Sequence, residues 1–291
     1  MRRDAAIGGA VWCVSRDARR PCRQSLSALV LLVLCLATVA AHAVEFTGEF
    51  VQGGMVLGSV VPGTTVALDG RAVPVAPDGR FVIGFGRDAT AAIIALTLPD
   101  GGHEERRLTV EKRVYDIQRI DGLPQETVTP DPVLLQRISR EASEIRALRE
   151  IASAEPFFTE PMTWPAIGPI SGVYGSQRIL NGEPRAPHMG VDIAAPAGSP
   201  IVAAGGGVVR FAAELFLTGN TILIDHGYGL ETSYAHLSRL DVKPGQRVRQ
   251  GEQIGLVGAT GRVTGAHLHW GMEWFQTRLD PQLVVGAMPV Q

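Results

Sequence analysis

The strongest indication of the fold lies in residues 242–274, "VKPGQRVRQGEQIGLVGATGRVTGAHLHWGMEW". Short apolar runs alternate there with Gly turns, which is the pattern of successive short β-strands. The stretch ends with His267 and His269 separated by a single residue. In an extended strand, residues i and i+2 point to the same face, so the two imidazoles are expected side by side. Such a pair is typical of two metal ligands or of a ligand beside an acid-base group, and it also occurs on solvated strand faces.

The same pattern extends from about residue 163 to the end of the chain. The segments "GSPIVAAGGGVVRFAA" (198–213) and "GNTILIDHGYGLETSYAHL" (219–237) are again short strands divided by Gly turns. No amphipathic helix of useful length interrupts them. Residues 161–291 are therefore predicted to form an antiparallel β domain.

A second, smaller β domain is predicted for residues 44–115. Short β-like runs alternate there with turns, of which Asp69-Gly70 and Asp78-Gly79 are strong hairpin signals. Strands at this spacing predict a small β-sandwich, and the fold class is accordingly mainly β. The region contains a single histidine and no cluster of polar residues, so we interpret it as a structural or positioning module.

Residues 116–160 are predicted to be a linker followed by a helix over about residues 131–153. The apolar residues of the helix recur with helical spacing, and Pro156 follows its end. They are Val133, Leu134, Ile138, Ala142, Ile145, Leu148 and Ile151. We expect this connecting helix to pack against one or both β domains.

The first 43 residues differ from the rest of the chain. Six arginines precede an apolar run from Leu26 to Ala41, which leads into the small-residue pattern Ala41-His42-Ala43. This order predicts a secretory signal peptide at residues 1–43, and therefore an exported protein, with the periplasm as the favoured destination. The alternatives are secretion or an uncleaved segment that anchors the chain in the membrane.

The composition limits which residues of the processed chain could bind a metal and which partners it could have. All three cysteines lie within the first 43 residues, so any metal must be held by His and carboxylates. Six of the 27 Lys and Arg residues and two of the 29 Asp and Glu residues also lie there, which leaves a net charge of about −6. That charge argues against nucleic acid as a partner, and we expect no membrane association after processing.

Five of the seven histidines cluster between residues 188 and 269, which indicates a metal site within a β domain. "HMGVD" places His188 four residues before Asp192, although a surface His and a turn-forming Asp would look the same. "SYAHL" places His236 at the end of an alternating strand, where alone it is more typical of a partly buried His bonded to the backbone. His226, in "IDHGYG", is interpreted as structural.

Taken together, "HMGVD", "SYAHL" and "TGAHLHW" occur in the order and approximate spacing of the lysostaphin/LytM-type zinc metalloendopeptidases. The resemblance covers about residues 163–280, with minor departures at Val263 and Trp270. It implies a peptidoglycan hydrolase with one Zn²⁺ per chain. The implied metal ligands are His188, Asp192 and His269, and the implied catalytic residues beside the metal's water are His236 and His267.

The chain has no H-E-x-x-H sequence, so a glutamate base of that kind is excluded. His236 and His267 would then move the proton and stabilise the oxyanion, and the sequence leaves open which of them is the base. Arg178 is a candidate for binding a substrate carboxylate, and Tyr234 for orienting an imidazole or lining the groove. For both residues, a packing or surface role is equally compatible with the sequence.

The sequence argues against two other classes of protein. A catalytically inactive relative that binds walls or activates an amidase typically lacks one or more of the five site residues, which are all present here. A biotinyl or lipoyl carrier needs a lysine at a hairpin tip, and neither Lys112 nor Lys243, the only lysines, has such a setting.

The predicted substrate is a peptide cross-link of peptidoglycan. The high ratio of Arg to Lys and the lack of a recognisable C-terminal wall-binding segment favour D-Ala–diaminopimelate cross-links in a periplasm, with glycine bridges as the alternative. We also expect the N-terminal domain and helix to restrain the site until a regulatory protein partner arrives.

Overall fold

The computed structural model describes residues 44–289. The predicted signal peptide at residues 1–43 lies outside the described residues. Within residues 44–289, no helix has the length and apolar character needed to cross a bilayer. Strands dominate the described chain, and the predicted mainly-β class is confirmed.

The N-terminal part consists of two small antiparallel sheets. One has the strand order β1-β2-β5 and the other the order β4-β3-β6-β7. The strands are β1 (Val44–Gly48), β2 (Met55–Val60), β3 (Thr65–Leu68), β4 (Arg71–Val73), β5 (Arg80–Gly84), β6 (Ala91–Thr97) and β7 (His103–Thr109). Apolar side chains of both sheets share one core, as expected for a sandwich. The hairpin signal at Asp69-Gly70 is the β3–β4 turn, where both residues have positive φ.

Residues 117–149 connect the two β regions. Strand β8 (Ile117–Ile120) is followed by the one-turn helix α1 (Gln125–Val128) and the long helix α2 (Pro132–Arg149). Helix α2 begins after Asp131, whose side chain accepts a hydrogen bond from Leu134 N at 2.8 Å, with Pro132 at the first position. Its residue Ile145 packs with Phe211 and Leu223 of the large sheet. The connecting helix of the prediction is therefore present and docked.

The C-terminal part is built on a ten-stranded sheet whose main path is β17-β14-β15-β16-β19-β12-β9. All of its strand pairs are antiparallel, as predicted. The strands are β9 (Ile170–Gly172), β12 (Val191–Ile193), β13 (Pro200–Val202), β14 (Gly207–Leu215), β15 (Gly219–Gly227), β16 (Leu230–Leu240), β17 (Arg247–Val248), β18 (Gln253–Val257), β19 (Leu268–Trp274) and β20 (Thr277–Leu279). Short 3₁₀ turns occur at Pro156–Thr159 and Pro281–Val284.

A small third sheet joins the connecting segment to the C-terminal part. Its order is β11-β10-β8, with β10 (Gln177–Leu180) and β11 (Glu183–Pro184) forming a hairpin. Strand β8 pairs with β10 in parallel, so that Gln118 lies opposite Arg178. The pairing places residues of the predicted linker beside those of the "HMGVD" region.

The sandwich and the large sheet also share apolar core. Residues of β16 and β19, including Leu230, Met272 and Trp274, belong to the same buried cluster as the two N-terminal sheets. At the same boundary, Arg113 forms an ion pair with the buried Asp280 at 2.9 Å. The other large cluster, which includes Tyr234, Leu268 and Trp270, lies within the C-terminal part.

Candidate metal centre

Two adjacent strands bring the first candidate ligands together. In the antiparallel pair β12–β19, Asp192 lies directly opposite His269, and His188 comes just before β12. Two glycines leave space for these side chains. A Cβ atom at Gly190 would lie 2.7 Å from the His269 ring, and one at Gly172 would lie 2.4 Å from Asp192 Oδ2. Glycine at these positions is therefore required by the approach of the candidate ligands.

The three side chains converge on one point. Asp192 Oδ1 lies 3.0 Å from His188 Nε2 and 2.8 Å from His269 Nδ1, and the two nitrogens are 2.9 Å apart. All three potential ligand atoms lie within 4.8 Å of one another. We call His188, Asp192 and His269 the metal cluster.

The hydrogen bonds of the histidines fix which nitrogen carries a proton. His188 Nδ1 lies 3.2 Å from the carbonyl oxygen of Val173, which can only accept, so Nδ1 donates and Nε2 has the lone pair. That lone pair faces the carboxylate of Asp192, which is also an acceptor. A cation between two acceptors at this distance would make their contact favourable. The donor set of one carboxylate and two imidazoles is that of a metal site with an open position for water.

The pKa values agree with this protonation pattern. Burial lowers the pKa of His188 to about 4, so the imidazole is neutral at neutral pH. Burial alone would raise the pKa of Asp192, but its close contacts with the His188 and His269 rings hold it well below its ordinary value. The cluster thus offers an ionised carboxylate and neutral imidazole, the forms that bind metals.

A β-bulge in strand β16 brings His236 to the same site. Asn220 and Ile222 of β15 pair with Leu237 and Tyr234, so β16 contains one extra residue between the pairs. His236 has φ of 68°, in the left-handed region that is unfavourable for a side chain with a Cβ atom. Regular alternation would put His236 on the core face with Tyr234, whereas the bulge turns it towards the metal cluster.

His236 and His267 form a second imidazole pair. Their ring centroids are 4.9 Å apart, and the His236 ring is 6.1 Å from that of His269. The Nδ1 atoms lie 2.8 Å from the carbonyl oxygen of Thr260 and 2.9 Å from that of Gly265, respectively. Each Nδ1 therefore donates to a carbonyl, which leaves Nε2 of both rings with a lone pair. His267 Nε2 is 3.8 Å from Asp192 Oδ1.

The electrostatic surroundings of His236 keep it uncharged. Burial, followed by the nearby His269 and His267, lowers its pKa to about 3. The neutral ring can accept a proton at Nε2 during a reaction but holds none at rest. The structure therefore brings all five histidine and aspartate residues of the prediction to one place.

The two candidate substrate-binding residues lie in different surroundings. Arg178 is at the site, where its guanidinium donates to Asp192 Oδ2 at 3.0 Å. Tyr234 has no exposed surface, and its hydroxyl accepts from Ala204 N at 2.9 Å on the core face of the sheet. The structure therefore places Tyr234 in the core and not in the groove.

His226 is also held on the core face. Its Nδ1 donates to the carbonyl oxygen of Gly206, and its Nε2 is 2.8 Å from the Thr232 hydroxyl. Burial lowers the pKa of His226, so the ring is neutral. The position fits the structural role expected for this residue.

One residue of the site was missed from the sequence. Arg262 lines a cavity together with Arg178, Asp192, His236 and His267. Its position in the loop just before the "HLH" motif was the available signal. A single arginine in a Gly-rich loop is ordinarily a solvated residue, and only the packed structure places it beside Arg178.

Comparisons with known proteins agree with this geometry. Residues 186–281 match the model of the family described as Peptidase family M23. A crystal structure of an M23 peptidase from Pseudomonas aeruginosa superposes with a TM-score of 0.64 and 30% sequence identity. The match covers 82% of this chain and 96% of that one. The chain belongs to peptidase family M23.

Two curated relatives match in the same region. The peptidoglycan DD-endopeptidase ShyA of Vibrio cholerae is 49% identical over 85 residues, which are 29% of this chain and 20% of ShyA. The cell division protein DipM of Caulobacter vibrioides is 35% identical over 165 residues, or 54% of this chain and 26% of DipM. The chain thus spans only about a fifth to a quarter of the length of these M23 relatives.

Proposed function

We propose that this M23 protein is a zinc-dependent endopeptidase that hydrolyses peptide cross-links of peptidoglycan. The observation that carries the proposal is the convergence of one potential ligand atom each from His188, Asp192 and His269, flanked by two imidazoles with free Nε2 lone pairs. Relatives named DD-endopeptidase support the substrate class. An inactive wall-binding or amidase-activating relative does not need these five side chains in this arrangement.

The metal cluster would hold one Zn²⁺ through His188 Nε2, Asp192 Oδ1 and His269 Nδ1. When bound, zinc lowers the pKa of a coordinated water towards neutrality and polarises a peptide carbonyl. The backbone carbonyl of Val173 supports the first ligand by fixing its tautomer. The guanidinium of Arg178 supports the second by binding Asp192 Oδ2, which leaves Oδ1 directed at the two imidazoles.

The two flanking histidines would carry out the proton transfers. Nε2 of either His236 or His267 would accept a proton from the attacking water. The imidazolium formed could then donate this proton as a hydrogen bond to the oxyanion and finally deliver it to the leaving amine. Carbonyl oxygens at Thr260 and Gly265 anchor the rings, which limits their motion during the reaction.

The favoured substrate is the D-Ala–diaminopimelate cross-link, with the periplasm as the site of action. To test the proposal, purified protein is incubated with isolated sacculi, and the released muropeptides are analysed by mass. We expect new peptide ends that disappear on chelation and return with Zn²⁺. Cleavage that persists after complete metal removal, or sacculi that remain intact with zinc-loaded protein, would contradict the proposal.

Helix α2 supports the expected restraint of the site. It covers a cavity of about 300 Å³ that extends from Ile145 and Arg149 to His269 on the sheet face. We expect Ile145→Glu to loosen the helix and accelerate sacculus cleavage, with Leu135→Glu on the exposed side as the matched control. Equal rates for the two variants and the unchanged protein would argue against restraint.

A further inference from the structure

We propose that Arg178 and Arg262 form a carboxylate-binding subsite beside the metal cluster. The subsite would bind a free carboxylate carried by the substrate residue on the amine side of the scissile bond. The inference rests on the proposed endopeptidase function and specifies which cross-link the site accepts.

The first observation is a cavity that contains both arginines and the reacting groups. It has a volume of about 170 Å³ and is lined by Arg178, Arg262, Asp192, His236 and His267. A ligand group in this cavity lies next to the imidazoles that would act on the scissile bond. Its volume is large enough to hold a carboxylate group of the substrate.

The connecting segment and the loop before β19 close the cavity on two sides. Gln118, Ile120 and Leu123 line one side, and Val263 and Thr264 line the other. Gln118 lies opposite Arg178 in the parallel β8–β10 pair, so the wall is part of regular structure. The cavity is therefore a formed feature of the fold.

The second observation concerns the hydrogen bonds of Arg178. One terminal nitrogen donates to Asp192 Oδ2 at 3.0 Å, which fixes the plane of the guanidinium. Its Nε is buried and has no hydrogen-bond partner within residues 44–289. A buried N–H without an acceptor is costly, whereas a carboxylate matches the planar fork of donors. The geometry thus favours an anionic group from outside the chain.

The third observation is the local charge. Burial lowers the pKa of Arg262, and the positive charges of Arg178 and Arg185 lower it further, so three guanidinium groups lie within electrostatic reach of one another. Asp192 is the carboxylate of this cavity, and a divalent cation in the metal cluster would more than offset its charge. The loaded site is then strongly positive, which selects an anionic ligand.

The chemistry of the cross-links indicates which anion fits. In a D-Ala–diaminopimelate cross-link, the carbon that bears the acylated nitrogen also bears a free carboxylate. In a glycine bridge, an amide occupies that position. An arginine pair beside the reacting centre therefore discriminates in favour of the first kind of bond.

The test compares two matched cross-linked peptides, one with the free carboxylate and one with a carboxamide at the same carbon. We expect the unchanged protein to cleave the carboxylate form with a roughly 10- to 100-fold higher kcat/KM, the range of a charge-assisted hydrogen bond. Arg262→Gln should lower kcat/KM for the carboxylate form several-fold more than for the carboxamide form, and Arg178 should account for the preference that remains. Arg239→Gln, an exposed arginine paired with Asp241, is the matched control.

Arg262→Gln is preferred over an Arg178 variant because Arg178 also contacts a candidate metal ligand. Equal cleavage of the two peptides by the unchanged protein, or an equal loss for both in Arg262→Gln, would overturn the subsite. If neither peptide is cleaved, the endopeptidase function fails separately. Calorimetric binding of the amine-side product, with free or amidated carboxylate, then decides whether Arg262 binds the carboxylate.

Discussion

Two buried polar clusters lie on the same face of strands β16 and β19. The metal cluster consists of His188, Asp192 and His269. The second, which we call the charge cluster, consists of Arg149 from helix α2, Glu231, Glu273 and Arg278. Glu231 lies directly opposite Glu273, and His269 lies four residues before Glu273 on the same strand.

The clusters differ in the source of their positive charge. In the charge cluster, Arg149 lies 3.2 Å from Glu231 and 3.1 Å from Glu273, and Arg278 also contacts Glu273. The chain therefore supplies the cations of this cluster itself, as the guanidiniums of Arg149 and Arg278. In the metal cluster, the lone pair of His188 Nε2 faces Asp192 Oδ1, and Arg178 reaches only the outer oxygen of Asp192. A buried cluster of acceptors without an internal cation at its centre is a site for an external one.

The largest expected effect is the loss of His269. His269→Ala removes one of the three proposed ligands, so sacculus cleavage should fall to background and bound zinc should be lost. Added zinc raises the thermal midpoint of a protein that binds it, and this increase should disappear in the variant. His103→Ala, in the exposed strand β7, is the control. A zinc-dependent shift that survives in His269→Ala would show that the two clusters do not differ as described.

Loss of His267 should separate proton transfer from metal binding. His267→Ala leaves the metal cluster intact, so zinc content and the zinc-dependent thermal shift should match the unchanged protein. Turnover should fall about 10²- to 10⁴-fold, the usual contribution of a general acid or base. A folded His267→Ala protein without zinc would instead make this residue a ligand.

Loss of Arg149 should affect stability more than chemistry. Arg149→Met leaves Glu231 and Glu273 with less compensation in a buried position, which should lower the free energy of unfolding by about 3–5 kcal/mol. Denaturant titration measures the change, and Arg140→Met on the exposed side of α2 should stay within about 0.5 kcal/mol. Zinc affinity should be retained at temperatures where the variant is folded. Equal free energies of unfolding for Arg149→Met and Arg140→Met would contradict a stabilising role of Arg149 in the charge cluster.

The last expected effect is a pH dependence of stability that originates in the charge cluster. Burial, followed by the charge of Glu273, raises the pKa of Glu231 from 4.5 to about 8. Between pH 4.5 and about 8, the folded state therefore binds more protons than the unfolded state. The stability contributed by protonated Glu231 is complete below about pH 4.5 and is lost as the pH rises through about 8. We expect the free energy of unfolding to decrease across this window, by at most about 1.4 kcal/mol per pH unit.

Glu231→Gln should remove this slope because the amide does not titrate. The exposed Glu214→Gln serves as the matched control, and unfolding is measured in denaturant between pH 5 and 8. A slope that is unchanged in Glu231→Gln would assign the pH dependence to other groups.

Much of the fold could be predicted because local patterns dictate it. Alternating apolar residues and Gly turns predicted the mainly-β class, and the helical period of apolar residues over about residues 131–153 predicted α2. The pairing of β8 with β10 and the docking of α2 on the large sheet depend on contacts distant in sequence. The boundaries at residues 115 and 160 stay predictions, and the apolar core that joins the sandwich to β16 and β19 crosses both of them.

The sequence by itself determined which residues are candidates for the site. Period-two alternation in "HLHW" puts His267 and His269 on one face, and the motifs around His188, Asp192 and His236 identify the candidate ligands and bases. The tertiary structure decided how they meet. The register of β12 against β19 places Asp192 opposite His269, and a bulge turns His236 from the core face to the metal cluster. The cavity between β10 and the loop before β19 brings Arg262 near Arg178. These arrangements depend on tertiary structure because cross-strand register and burial arise only when distant segments fold together.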